Sequence, residues 1–573
     1  MSNPFIMKTQ KILPFAGLFM MIIVVIITMN ACQNKTEKME NELKNFIAKW
    51  EAKVKPLQKE TYLAAWNATI TGKEEDYKKS EALQNQLVKI YANKDDFSLL
   101  KKIKDSGAVK DTLLNRQLIL LYLAYQGNQV DTAKLAEVIK MQTEIEKTFN
   151  TYRAEVNGKK LSDNDVENVL KTSVNNEELK NTWLAHKAIG DQVADKIKAL
   201  VKKRNEIAKE LGYSNYHEMS LKLGEQDPAE IEKLFDDLDN LTRDAFTEVK
   251  NTMDEYFIKR YKIKKEELMP WHYQNRFFQE APVIYEVDLD KYYKDKDVVK
   301  LTGDFYKGIG LDIDDVIQRS DLYEKPGKYQ HAYCTDIDNE GDVRVMGNVR
   351  NNSDWMNTML HEFGHASYDK YISRDLPFAL RNPAHTFTTE AIAMIMGRFA
   401  RHPQWIKDMT GISEEEKTKI TDACFKTLRL EQLVFSRWSQ VMYRFEKALY
   451  ADPDQDLNLL WWTLVEKYQM IKKPEGRNAP DWATKIHIAT VPCYYHNYQL
   501  GELLASQLYY YIGNNIIKSP ELKMNDFVGR PEVGSYLKTK VFEPGARYFW
   551  NDMIERATGE KLTPKYYAEQ FVN

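Results

Sequence analysis

LHEFGHASYDKY, residues 360–371, places two imidazoles four residues apart with a glutamate beside the first. On an α-helix, positions i and i+4 share a face. His361 and His365 can therefore reach one ion, while Glu362 stands one step round the helix as a candidate base. The helix is expected to start at a capping Ser353 or Asp354 and to run through Trp355, Met359 and Phe363 to about Tyr371. Gly364 would cost it about 1 kcal/mol relative to Ala, which predicts close packing against a neighbour. A second helix is predicted to begin near Thr388 or Thr389, with Glu390 in its first turn. Packed on the first helix, Glu390 would complete a His₂Glu set. That set is common for catalytic Zn²⁺, whose fourth position is kept for water. One Zn²⁺ per chain is the expected cofactor. Tyr368 and Tyr371 replace the Gly and His of the H-x-x-G-x-x-H continuation, so a third histidine from that source is absent.

Upstream and downstream of this helix the pattern is mostly α. FIAKWEAKV, LLNRQLILLYLAY and VADKIKALVKKRNEIAKEL repeat apolar residues at three- and four-residue spacing, as do QWIKDM, LNLLWWTLVEKY and LGELLASQLYYYI nearer the C-terminus. Strand signals cluster in DVRVMGNV, where Val343 and Val345 alternate between Gly341 and Gly347. No internal repeat, low-complexity tract or Pro/Gly/Ser-rich linker divides the chain beyond residue 44, so residues 44–573 read as one large domain.

The 573 residues suffice for a large core, and 43% hydrophobic content excludes a largely disordered chain. The 81 basic and 84 acidic residues leave a net charge of -3, which offers no electrostatic basis for nucleic-acid binding. Lys8 and Lys11 precede an uncharged apolar run from Ile12 to Met29, followed by Asn30, Ala31 and Cys32. A basic segment, an apolar segment and a small residue before the cut read as a secretory leader. Cysteine directly after the small residue resembles a bacterial lipobox. Residues 1–31 are thus expected to be a lipoprotein-type signal, Cys32 the lipidated residue, and 32–43 a tether holding the body to a membrane of the cell envelope. An uncleaved anchor is the alternative, since 18 residues sit at the lower limit for spanning. Cys334, Cys424 and Cys493 are too few and too dispersed for a closed disulfide set and read as small buried thiols.

A longer stretch, HEFGHASYDKYISRDLPFALRNPAHTFTTEAIA, resembles the zinc segment of the angiotensin-converting-enzyme (peptidyl-dipeptidase A) family of gluzincins. The shared elements are H-E-x-G-H, Asp375-Leu376-Pro377, Leu380-Arg381 and Glu390-Ala391-Ile392. The resemblance implies a mainly α, bilobed helical zincin with a small β-sheet beside the metal helix and a deep central substrate channel. It implies peptide substrates and Glu390 as third zinc ligand. HAYCTDIDNEGDVRVMGNV is similar to the family's H-A-S segment, which implies that His331 and Ala332 lie where backbone meets an extended peptide. KIHIATVPCYYHNYQLGELL resembles the region that supplies a lysine for the substrate's terminal carboxylate and a His/Tyr pair for the oxyanion. Lys485 and His487 take the first two positions. Tyr495 and Tyr498 keep the family's three-residue separation one residue late, which implies Tyr498 as the oxyanion donor, Tyr495 as a substrate contact and Tyr494 as rival. PWHYQNRFF resembles the W-x-Q segment. Gln274 with Lys485 implies dipeptide release, whereas Arg276 in that place would shorten the pocket and favour single residues. Two departures stand out: Met394 replaces an Asp that orients an imidazole, and Asn497 replaces the chloride-binding Arg.

In the implied reaction Glu362 takes a proton from the attacking water, and His487 and Tyr498 meet the developing oxyanion. Oligopeptidase-type internal cleavage, single-residue carboxypeptidase activity and a catalytically silent binding lipoprotein stay open on sequence grounds.

Overall fold

The computed structural model describes residues 15–572 apart from residue 286, with side chains from residue 33 onward. Lys8, Lys11, the side chains of the apolar run and the Cys32 thiol lie outside the described residues, and with them the first fourteen residues of the expected leader and its lipidation site. No helix among the described residues is long and apolar enough to cross a membrane. Residues 32–43, expected as a tether, instead continue a single helix, α1 (Phe15–Thr71). Met39 and Leu43 are already buried there, packed with Leu100, Ile103, Leu118 and Tyr125 from the helices that follow.

Helix dominates the rest, and the chain is a mainly α zincin. Strand is confined to two hairpins among the described residues. The first, Ala154–Val156 with Lys159–Leu161, turns through Asn157 and Gly158, both at positive φ. Between the hairpins runs α2 (Pro228–Tyr261). It starts on Asp227, whose carboxylate accepts from the N–H groups of Ala229 and Glu230, with proline in the first turn. The second hairpin pairs β1 (Tyr333–Asp336) antiparallel with β2 (Val343–Met346), and Val343 and Val345 turn into the core as the alternation predicts.

The metal helix is α3 (Ser353–Tyr371). Its cap is Asn352, one residue before the expected Ser353, with Oδ1 accepting from Trp355 N at 2.8 Å. Ser353 donates instead to Asp290. The partner helix, α4 (Thr386–Arg398), begins earlier than expected because His385 caps it through Nδ1. Glu390 therefore sits in the second turn. Two more elements complete the surroundings, α5 (Glu414–Ala451) and α6 (His496–Tyr511), before the chain closes with α7 (Lys565–Phe571).

Side chains from these helices form two large apolar clusters. One gathers α3, α4, α6 and the C-terminal helices around Leu360, Phe363, Ile392, Leu503 and Trp550. The other gathers α2 and α5 around Phe246, Phe257, Trp438 and Phe445, and takes in Tyr495. Tyr498 belongs to α6 yet packs against the second cluster. The candidate site lies along that seam, which gives structural content to the two-lobed expectation.

Candidate metal centre

The approach of α3 to α4 sets the site. A Cβ on Gly364 would stand 2.7 Å from Ala393 Cα and 3.1 Å from Ala393 N, a distance real Cβ atoms do not adopt, so only glycine permits the contact. The expected reason for that residue is therefore met by a backbone. On the far side of α4, a Cβ at Gly501 would lie 3.2 Å from Glu390 Cβ and 3.2 Å from Met394 Sδ, so α6 also packs tightly on it. Glu390 is held between two helices.

Its carboxylate faces both histidines. Glu390 Oε2 is 3.8 Å from His361 Nε2 and 3.9 Å from His365 Nε2, and one ligand atom from each of the three lies within 4.8 Å of the others. Four ligands at 2.0–2.1 Å on tetrahedral corners stand roughly 3.4 Å apart, so drawing Glu390 in by about half an ångström would bring it to zinc spacing from each imidazole. Burial holds both imidazoles well below the usual range, His361 down to about 4 and His365 down to about 3, which keeps them neutral and able to donate lone pairs. Burial, with the Glu390 charge beside it, pushes Glu362 up to about 8, and burial pushes Glu390 up to about 7. A dication at the centre opposes both shifts, so loading the metal favours both carboxylates ionised. The donor set, spacing and charge fit one zinc ion.

The outer contacts are unequal. His365 Nδ1 lies 2.8 Å from Thr389 Oγ1, a hydroxyl that orients the ring. Sequence reading missed Thr389, although it immediately precedes the third ligand. The His361 ring has no hydrogen-bond partner among the described residues, consistent with Met394 standing where the resemblance places an aspartate. Asn497, at the family's arginine position, accepts from Gln226 Nε2 at 2.7 Å; the other end of Gln226 meets His496 Nε2 at 2.6 Å.

Around the trio, Tyr498 stacks edge-on against both Tyr494 and Tyr495, with centroids 5.3 and 5.4 Å away. Burial, then the Glu390 charge, raises the phenols of Tyr494 and Tyr498, so both are protonated donors at neutral pH. Tyr495 also meets His487 edge-on at 5.4 Å. His487 Nδ1 is buried without a partner, and burial with the Lys485 charge brings its ring down to about 4. Lys485 stands over the rings of Phe277, Trp438 and Tyr495 and donates to Gln279. Burial, with Arg276 nearby, lowers its ammonium to about 8, which leaves it mostly charged at neutrality.

Gln274, an expected substrate contact, is engaged within the fold. Gln274 is buried at positive φ and spends its oxygen on Val283 N, 3.0 Å away; the glutamine that meets Lys485 is Gln279. Arg276, its rival, pairs with Glu167 and Asp163. His331 is exposed, with its ring on Tyr329, and Ala332 leads into β1. The β1–β2 register, with Ile337 N donating to Asp342 O, turns the backbone groups of Cys334 away from β2. Cys334 lies beside Glu362, whose charge contributes to raising the thiol. An edge capable of pairing with an extended chain thus runs next to the candidate base.

The family model described as peptidase family M3 matches residues 169–573, and the one described as angiotensin-converting enzyme matches residues 37–276. Among curated relatives, the angiotensin-converting enzyme of Rattus norvegicus is 22% identical over 578 residues, 94% of this chain and 42% of the relative. That of Mesocricetus auratus is 22% identical over 93% of this chain and 42% of the relative, and that of Mus musculus 23% identical over 71% and 33%. The chain spans less than half the length of these relatives.

Proposed function

Since the chain belongs to peptidase family M3, among the gluzincin zinc metallopeptidases that resemble angiotensin-converting enzyme, we propose that it hydrolyses short peptides by releasing dipeptides from the C-terminus. The observation that carries the peptidase reading is the convergence of His361, His365 and Glu390 with Glu362 beside them.

When bound, zinc supplies Lewis acidity that polarises the scissile carbonyl and brings the pKa of water to about 7. Glu362 accepts the proton of the attacking water and delivers it to the departing amine. His487, a neutral imidazole with one N–H, and Tyr498, a protonated phenol, face the charge that develops on the carbonyl oxygen. The outer edge of β1 pairs with substrate backbone, with His331 and Ala332 at its start.

The dipeptide register rests on Lys485. Its charge, desolvated among three rings and flanked by Gln279 and Tyr495, suits a terminal carboxylate. Product masses from one peptide with a free or amidated C-terminus test this register. Dipeptide release that fails on the amide supports it; equal internal cleavage of both forms favours the oligopeptidase reading. The M3 match over residues 169–573 is the specific observation behind that second reading.

A lipid tether through Cys32 belongs to the same proposal, on the strength of the basic, apolar and small-residue order before it. Release of the Cys32→Ser protein from the membrane fraction, with peptidase activity intact, is the expected result.

A further inference from the structure

Beside the metal trio, a cavity of about 640 Å³ reaches His361 and Met394 and extends between α3, α4, α5, α6 and the C-terminal segment. Its wall is not apolar. Arg398, two helical turns beyond Glu390 on α4, is only 13% exposed and pairs with Glu502 of α6, itself 11% exposed. Gln432 Nε2 donates to the other oxygen of that carboxylate at 3.1 Å. Glu502 is thus doubly satisfied, while Arg398 Nε and Gln432 Oε1 are buried with no hydrogen-bond partner among the described residues. Phe571 closes the far side, 5.3 Å from the guanidinium. Other arginines of the cavity are engaged: Arg401 with Glu431 and Asp354, Arg429 with backbone oxygens and Glu248.

Arg398 and Gln432 both line the cavity; a buried guanidinium N–H and a buried amide oxygen without partners are costly, and a ligand that reaches them recovers what the fold leaves unmade. His361, a ligand histidine, is among the residues lining the cavity, so the cavity adjoins the metal centre. Eight residues of helix separate Glu390 from Arg398, about 12 Å of rise, which is the length of three to four extended residues. We propose that Arg398 is a specificity-determining residue that receives a substrate carboxylate in this cavity, with Glu502 tempering its charge and Gln432 accepting an accompanying N–H. The inference rests on the peptidase reading above.

The test compares kcat/KM for peptides carrying Glu, Gln or Leu at each of the last three positions, C-terminus free or amidated, in wild type, Arg398→Gln and Glu502→Gln. Cleavage of the Leu peptide by wild type establishes the peptidase reading independently. The expected result is a preference for one carboxylate over its amide of roughly ten- to a hundredfold, the worth of a charge-assisted hydrogen bond. Arg398→Gln should erase that preference and Glu502→Gln should enlarge it. Ratios taken within one variant cancel differences in folded fraction, and Glu502→Gln decides the matter should Arg398→Gln fail to fold. A lost Glu/Gln ratio identifies a side-chain carboxylate; a lost free/amide ratio identifies the chain terminus. Unchanged ratios in both variants overturn the inference.

Discussion

Glu362 and Thr389 differ in what their loss should reveal. Glu362 is buried beside Glu390 but outside the coordinating trio. Glu362→Gln should keep one equivalent of zinc by metal analysis and lose about 10²–10⁴-fold in kcat, the usual worth of a positioned base. Glu390→Gln should lose the metal as well, since it deletes a ligand. Near-normal turnover by Glu362→Gln would remove it from the reaction. Thr389 acts one bond further out. With its hydroxyl 2.8 Å from His365 Nδ1, Thr389→Val should weaken zinc by about 10–100-fold in a chelator competition. Zinc-saturated activity should change far less. Equal losses at saturating and limiting zinc would show the hydroxyl is not orienting the ligand. The histidine pair was legible in sequence because helical spacing defines it locally, and Glu390 because the segment around it resembles the family's zinc segment. Thr389 was not, because whether a hydroxyl faces a ring depends on how α4 rolls against α3. Gln279 was not, because the path of the loop after Trp271 is set by long-range packing, and Gln274 consumes its oxygen locally on Val283.

Element boundaries tell a similar story. The extent of α3 followed from its apolar spacing, with only the cap displaced by one residue to Asn352. The start of α4 was misread because Thr388 and Thr389 resemble caps, whereas the His385 imidazole performs that task two residues before Phe387. The hairpin at residues 154–161 was overlooked beneath the helical periodicity around it, although Asn157-Gly158 is the strongest short hairpin signal a chain can carry. The helix pair itself makes a prediction. Gly364→Ala forces a Cβ to within 2.7 Å of the Ala393 backbone, so α3 and α4 must separate. The expected cost is about 1–3 kcal/mol of stability, as for overpacked cores, together with weaker zinc binding because Glu390 moves with α4. A variant with wild-type Tm and zinc affinity would show that the contact does not set the site. Gly411, at positive φ in open space, offers the control: Gly411→Ala should cost stability through backbone strain while leaving zinc affinity unchanged.

At the scale of the molecule, the second apolar cluster holds a buried carboxyl that the chemistry does not use. Glu446, on α5, accepts from Cys493 N at 2.8 Å and so ties the second cluster to the segment that carries Tyr495 and Tyr498. Complete burial pushes its carboxyl up to about 8, against smaller lowering by that hydrogen bond and by Arg204. In the unfolded chain an ordinary glutamate ionises near 4.5. Between those two values the folded state holds a proton that the unfolded state has released, so stability is greatest below pH 4.5 as far as this group is concerned. It falls as pH rises towards 8, by up to about 1.4 kcal/mol per unit, and levels off above. Other groups titrate over the same range, so the isolating measurement is a difference. Glu446→Gln keeps an oxygen for Cys493 N and cannot ionise. Its Tm relative to wild type should climb between pH 5 and pH 8 and then plateau. A Tm difference that stays flat from pH 5 to pH 9 would mean that Glu446 is ionised in the fold, with Arg204 rather than a proton balancing it.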